Sequence, residues 1–126
     1  MTSPAALTSA LRHHPEGSYC LAAAADLLIS QRWLHRGDFT DRFITIGPAA
    51  FDDRTTACVD WPAAINALDA GDLACSGGEQ RMLRLTAGLA DGIPVDLRDA
   101  LTGIDSTNVQ LLVRAVLHAW ECQLNG

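Results

Sequence analysis

The chain has 126 residues, 48% of them hydrophobic, with nine arginines against fifteen acidic residues and a net charge of −6. That length suits one domain able to bury a core without disulfide or metal staples, and the acidic balance disfavours nucleic acid as a partner because phosphate contacts need basic side chains. No apolar run approaches the roughly 20 residues that a membrane span needs, so no membrane partner is expected. Every basic residue is arginine, and Cys20, Cys58, Cys75 and Cys122 are too widely spaced to read as a disulfide framework. A cytoplasmic protein with reduced thiols is the simplest expectation.

The first segment, Ala5 to Leu11, can form a short helix that His13-His14-Pro15-Glu16-Gly17 interrupts, because the residue before proline avoids the helical region. The spacing of Leu21, Ala25, Leu28 and Ile29, with the alanine run 22–25, predicts a second helix from Ser18 to Arg36. Gly37 would stop it, leaving Trp33 and Leu34 in its last turn. Asp38 then reads as an N-cap for a short helix over Phe39 to Ile44, with Phe39 and Phe43 facing inward.

From Ile44 to Val59 the helical period disappears. Two short apolar runs, 43–46 and 56–59, flank the turn chemistry of Gly47-Pro48 and Asp52-Asp53-Arg54, which allows one small hairpin. Asp60 can cap the next helix, with Pro62 tolerated in its first turn, Ile65 and Leu68 facing in, and Gly71 ending it.

Ser76-Gly77-Gly78-Glu79 is a capping-box pattern, in which the Ser76 hydroxyl accepts from the Glu79 N–H and the Glu79 carboxylate from the Ser76 N–H. The helix it opens carries Met82, Leu85 and Leu89 on one face, and Gly92 and Pro94 end it. Asp96 can cap a short helix over 97–101 that Gly103 closes. Asp105 or Ser106 can cap the last helix, whose stripe Val109, Leu112, Val113, Val116 and Trp120 is expected to face the core. Leu111, Ala115 and Leu117 widen the apolar surface until little polar face is left, so this helix is either central or covered by a partner.

The predicted fold is therefore mainly α, a single compact helical domain over residues 1–126 with about five to seven helices and room for one small β-hairpin around 43–59. Expected core residues are Leu28, Ile29, Leu85, Leu89, Val109, Leu112, Val113 and Val116.

Two motif resemblances bear on function. The string Ser76-Gly77-Gly78-Glu79-Gln80 resembles the signature loop of ATP-binding cassette proteins, with Asp99 about where that family has its Walker B aspartate. That resemblance implies a nucleotide site, yet the chain has no phosphate-binding loop and no lysine, and a capping box explains the same residues. Residues 97–117 resemble a helix-turn-helix, with Gly103 as the turn glycine, Ile104 after it, and Val109 and Leu112 at buried positions of the second helix. The resemblance implies DNA contacts by Ser106, Thr107, Asn108, Gln110 and Arg114, although Asp99 stands where that family buries a small residue. As a whole the chain resembles small helical proteins of high-GC Gram-positive bacteria, through Val59-Asp60-Trp61, the 76–84 stretch and the 94–101 stretch, a likeness that implies no activity.

His118 and Cys122, four apart on one helix, lack companion ligands in the sequence, so no metal or cofactor is expected. No catalytic constellation stands out. The expected function is that of a non-enzymatic module, binding a protein partner or forming a homo-oligomer such as a dimer, with Leu117, Trp120 and Trp33 as contact residues. A helix-turn-helix DNA-binding regulator using residues 97–117 is the alternative.

Overall fold

The computed structural model describes residues 3–12, 19–48 and 55–125. In chain order it comprises α1 (Pro4–Arg12), α2 (Tyr19–Ser30), a 3-10 turn (Trp33–His35), α3 (Gly37–Phe43), β1 (Ile44–Pro48), β2 (Thr55–Val59), α4 (Trp61–Asp69), α5 (Gly77–Asp91), α6 (Leu97–Thr102) and α7 (Ser106–Asn125). The expected class holds: helices dominate, and one two-stranded antiparallel sheet accompanies them.

Helices α2 and α5 form a wall between two apolar clusters. On one side, Ala25 and Leu28 of α2 and Leu83 and Ala87 of α5 meet α1, α3, α4 and the buried rings of Trp33, Phe39 and Phe43. On the other, Ala23 and Leu27 of α2 and Met82 and Leu85 of α5 meet Ala100 of α6 and Leu112 and Ala115 of α7. Both helices bury residues on two faces, which explains the alanine run of α2: small side chains let neighbours approach from both sides. The buried hydroxyl of Thr86 in α5 donates to the Met82 carbonyl at 2.7 Å, so the wall buries it at no unpaired cost.

The cap signals of α4, α5 and α6 act as expected. Ser76 Oγ accepts from Glu79 N at 3.2 Å and Glu79 Oε1 from Ser76 N at 3.0 Å, closing the capping box. Asp60 caps α4, Asp96 caps α6, and Gly92 takes the left-handed conformation after α5 with φ 65°. In the hairpin, Ile44 pairs with Val59 and Ile46 with Ala57, and the buried Ala57 pins the pair to the first cluster. Gly47 and Pro48 belong to β1 and are not its turn, whereas Asp52 to Arg54 and the break at 13–17 lie outside the described residues.

Three further expectations about the helices need correction. The second helix stops at Ser30, not at Gly37: Arg32 adopts φ 65° and turns the chain into the 3-10 segment. Asp38 does not cap α3, since the helix already begins at Gly37; its carboxylate instead takes a two-pronged contact from Arg36, which holds it below the ordinary carboxylate range. The largest correction concerns α7. Of its supposed inward stripe only Leu112 is buried, while Val109, Val113 and Val116 are exposed and Ile29 and Leu89 elsewhere are only half-buried.

Candidate interaction surface

A helix turns 100° per residue, so α7 can carry two apolar faces. The face on the protein consists of the buried Leu112 and Ala115 with Leu111 and Ala119 half-buried beside them, packed on Ala23 and Leu27 of α2. The second face is bare. Val109, Val113, Val116, Leu117 and Trp120 stand in solvent, with Val113 51% and Trp120 54% exposed. Successive spacings of four, three and four residues between Val109, Val113, Val116 and Trp120 trace the narrow seam that a helix offers to another helix.

On α6, Leu97, 57% exposed, and Leu101 are further exposed apolar side chains. Position follows from local chemistry. Asp96 Oδ1 accepts from Asp99 N at 3.2 Å, which starts α6 so that Ala100 points into the second cluster and Leu97 and Leu101 away from it. Arg81 of α5 then holds the end of α6: its Nε donates to the Asp99 carbonyl at 3.2 Å, and the guanidinium lies against Gly103. Asp105 Oδ1 accepts from Asn108 N at 2.8 Å and opens α7.

Of the residues expected to meet a partner, Leu117 and Trp120 lie on this face. Trp33 does not, being 1% exposed beneath the first cluster with its ring 5.1 Å from that of Phe39 and under the Arg36 guanidinium. Sequence reasoning missed Val109, Val113, Val116, Leu97 and Leu101 as surface residues, and for the three valines the signal is the alanine pair Ala115 and Ala119 on the other side of their helix.

The helix-turn-helix residues are placed less favourably for DNA. Ser106, Thr107, Gln110 and Arg114 are exposed, but Asn108 is half-buried and accepts from Gln31 Nε2 at 2.8 Å. Val109, which that motif buries, is exposed, and α6 packs on α5. The amino-terminal ends of α6 and α7 are occupied by the carboxylates of Asp96 and Asp105, where a phosphate would otherwise be welcome.

Elsewhere, α1, α2, β2 and the end of α5 enclose an open apolar cleft of about 280 Å³ under Leu21, Leu28, Val59 and Trp61, with Asp91 at its edge. Beside α7, His118 Nδ1 lies 3.9 Å from Asp26 Oδ2, and Arg12 approaches the other oxygen of the same carboxylate at 3.7 Å. Among the described residues no three His, Cys, Asp or Glu side chains are grouped to hold a metal ion, and no helix is long and apolar enough to cross a membrane. Comparison of the chain with protein-family models, with curated proteins and with solved structures finds no match.

Proposed function

We propose that the chain is a protein-interaction module that docks through the outer face of α7 and the two leucines of α6. The observation that carries this reading is the contiguous exposure of Val109, Val113, Val116, Leu117 and Trp120 on a helix whose other apolar face is already packed. Exposed apolar side chains scattered singly are ordinary, whereas a run of them along one helix face marks contact surfaces. Tryptophan is also among the residue types that most often carry the binding energy of an interface.

The DNA-binding alternative draws on the exposure of Gln110 and Arg114, and it is weakened by the capping carboxylates and by the single arginine on α7. A cytoplasmic location belongs to the preferred reading, in keeping with the free thiols of Cys20, Cys58 and Cys75.

The test is photo-crosslinking in cells from an unnatural side chain placed at Val113, with Pro62 on the exposed side of α4 as control. A discrete adduct from Val113 but not from Pro62, identified by mass spectrometry as a protein and lost in the Val116→Glu background, is expected. Equal or absent adducts at the two sites would remove the reading.

A further inference from the structure

We infer that the cleft between α2 and the packed side of α7 binds a free aliphatic α-amino acid, with its ammonium at Asp26 and its carboxylate at Arg114. The cleft is open to solvent and holds about 190 Å³; its polar lining consists of Asp26 and Ser30 of α2 and Arg114 and His118 of α7 among the described residues. The two helices run antiparallel, since Gln31 Nε2 donates to Asn108 Oδ1 at 2.8 Å at one end and Asp26 meets His118 at the other. Each polar pair is four residues apart and therefore stacks on one side of its own helix. Leu27, Leu111 and Ala115 complete the space with apolar surface.

Two opposite charges line this cleft without joining each other. The ionic contacts of the Asp26 carboxylate are Arg12 at 3.7 Å and His118 at 3.9 Å, both longer than a hydrogen bond, so its oxygens keep room to accept one. Arg114, the one arginine of α7, makes neither a hydrogen bond nor an ion pair with the described residues. An arginine within reach of a carboxylate ordinarily closes onto it in a two-pronged pair. Here the two groups stand apart across the cleft, and a small molecule carrying both charges would bridge them.

Charge and size select the class of ligand. A simple anion at Arg114 would share the cleft with the Asp26 carboxylate, and a simple cation at Asp26 would share it with Arg114 and compete with Arg12, so neither sign alone suits the lining. A zwitterion satisfies both groups, and carrying the charges on one molecule makes the second contact intramolecular. The volume lies below the roughly 300 Å³ at which drug-sized sites begin, which suits an occupant as small as a single amino acid. Its aliphatic side chain meets Leu27, Leu111 and Ala115, and the Ser30 hydroxyl adds a donor or acceptor. An exposed ion pair by itself is worth little, so the affinity is modest and depends on both charges.

Titration of the purified full chain with L-leucine, followed by two-dimensional amide NMR, tests the inference. Saturable shifts centred on residues 23–31 and 108–119 are expected, with a Kd of about 1 mM or tighter. L-Leucinamide, which lacks the carboxylate, and N-acetyl-L-leucine, which lacks the ammonium, should each bind at least about tenfold more weakly. Arg114→Gln should weaken L-leucine binding as much while removing no polar contact of the described chain, and Asp26→Asn should do the same with unchanged helical circular dichroism. No saturable shift up to about 20 mM L-leucine, or shifts centred elsewhere, overturns the site. Equal binding of either single-charge analogue, or undiminished binding by Arg114→Gln, overturns the zwitterion as its occupant.

Discussion

The guanidinium of Arg81 occupies the place where a Cβ on Gly103 would stand. The end of helix α6 is thereby tied to α5, because the same side chain donates to the Asp99 carbonyl at 3.2 Å and lies 3.8 Å from its carboxylate. Glycine at 103 is needed for that close approach and not for a left-handed backbone, since its φ is −120°. Gly103→Ala should displace the arginine and cost about 1 kcal/mol, the size of a partly exposed hydrogen bond with its weak ion pair. Arg81→Ala should cost a similar amount, and the double variant little more than either single one, because both remove the same contact. Denaturant melts of the four proteins check this; strictly additive losses would refute the shared contact.

The two faces of α7 predict opposite responses one residue apart. Leu112, 8% exposed in the cluster with Leu27 and Met82, should lose roughly 2–5 kcal/mol on replacement by alanine, the range for a buried leucine that leaves a cavity. Val113→Ala should change protomer stability by less than about 0.5 kcal/mol when melted at concentrations too low for association. Equal losses at both positions would mean that the bare face is packed in solution even in the protomer.

The capping box should give α5 an acid-sensitive start. The Ser76 backbone N–H hydrogen bond, followed by the Ser76 side chain, holds the Glu79 carboxyl below its ordinary value of 4.5. A carboxyl depressed in the folded state adds stability above its unfolded pKa and loses it as the pH falls through the folded one. Stability should therefore decline below about pH 4.5, and Glu79→Gln should flatten that part of the profile. Ser76→Ala should cost about 1 kcal/mol at neutral pH. Melting curves between pH 3 and 7 read both effects, and a profile unchanged by Glu79→Gln would contradict the cap's electrostatic role.

Those caps were legible because they are local: a serine or aspartate three residues before a free backbone N–H needs no tertiary information. The same holds for Gly71 and Gly92, both left-handed where glycine costs least. The orientation of α7 was not legible, because periodicity locates apolar residues on a helix without saying which of two apolar stripes meets the core. The stripe with the larger side chains looked inward, yet the stripe with Ala115 and Ala119 is the one packed, since it lets α7 come close to the alanine-rich α2. The end of α2 was hidden for a different reason. Arg32 takes a left-handed conformation that the sequence gives no glycine or asparagine to announce, and the burial of Trp33 against Phe39 accompanies that turn.

The candidate site divides along the same line: Leu117 and Trp120 were read as contact residues from the excess of apolar surface on one helix, which is a count. Which valines join them is a matter of direction, and direction came from the neighbours.

The last prediction concerns nucleic acid. Duplex affinity rests on neutralising phosphates, and each neutralised phosphate steepens the salt dependence. Around the 97–117 segment the exposed cations are Arg98 and Arg114, while Asp96, Asp99, Asp105 and Glu121 are exposed acids and Arg81 is already engaged by Asp99. Asp105 stands at the amino-terminal end of α7, the end that a recognition helix turns toward base edges, and Asn108 is held by Gln31. The expected result is no salt-sensitive binding of a labelled mixed-sequence duplex at low ionic strength, by fluorescence anisotropy, and no effect of Arg114→Ala. Binding that weakens steeply with salt and disappears in Arg114→Ala would instead assign residues 97–117 to DNA and make the apolar face of α7 a dimer seam in the service of that role.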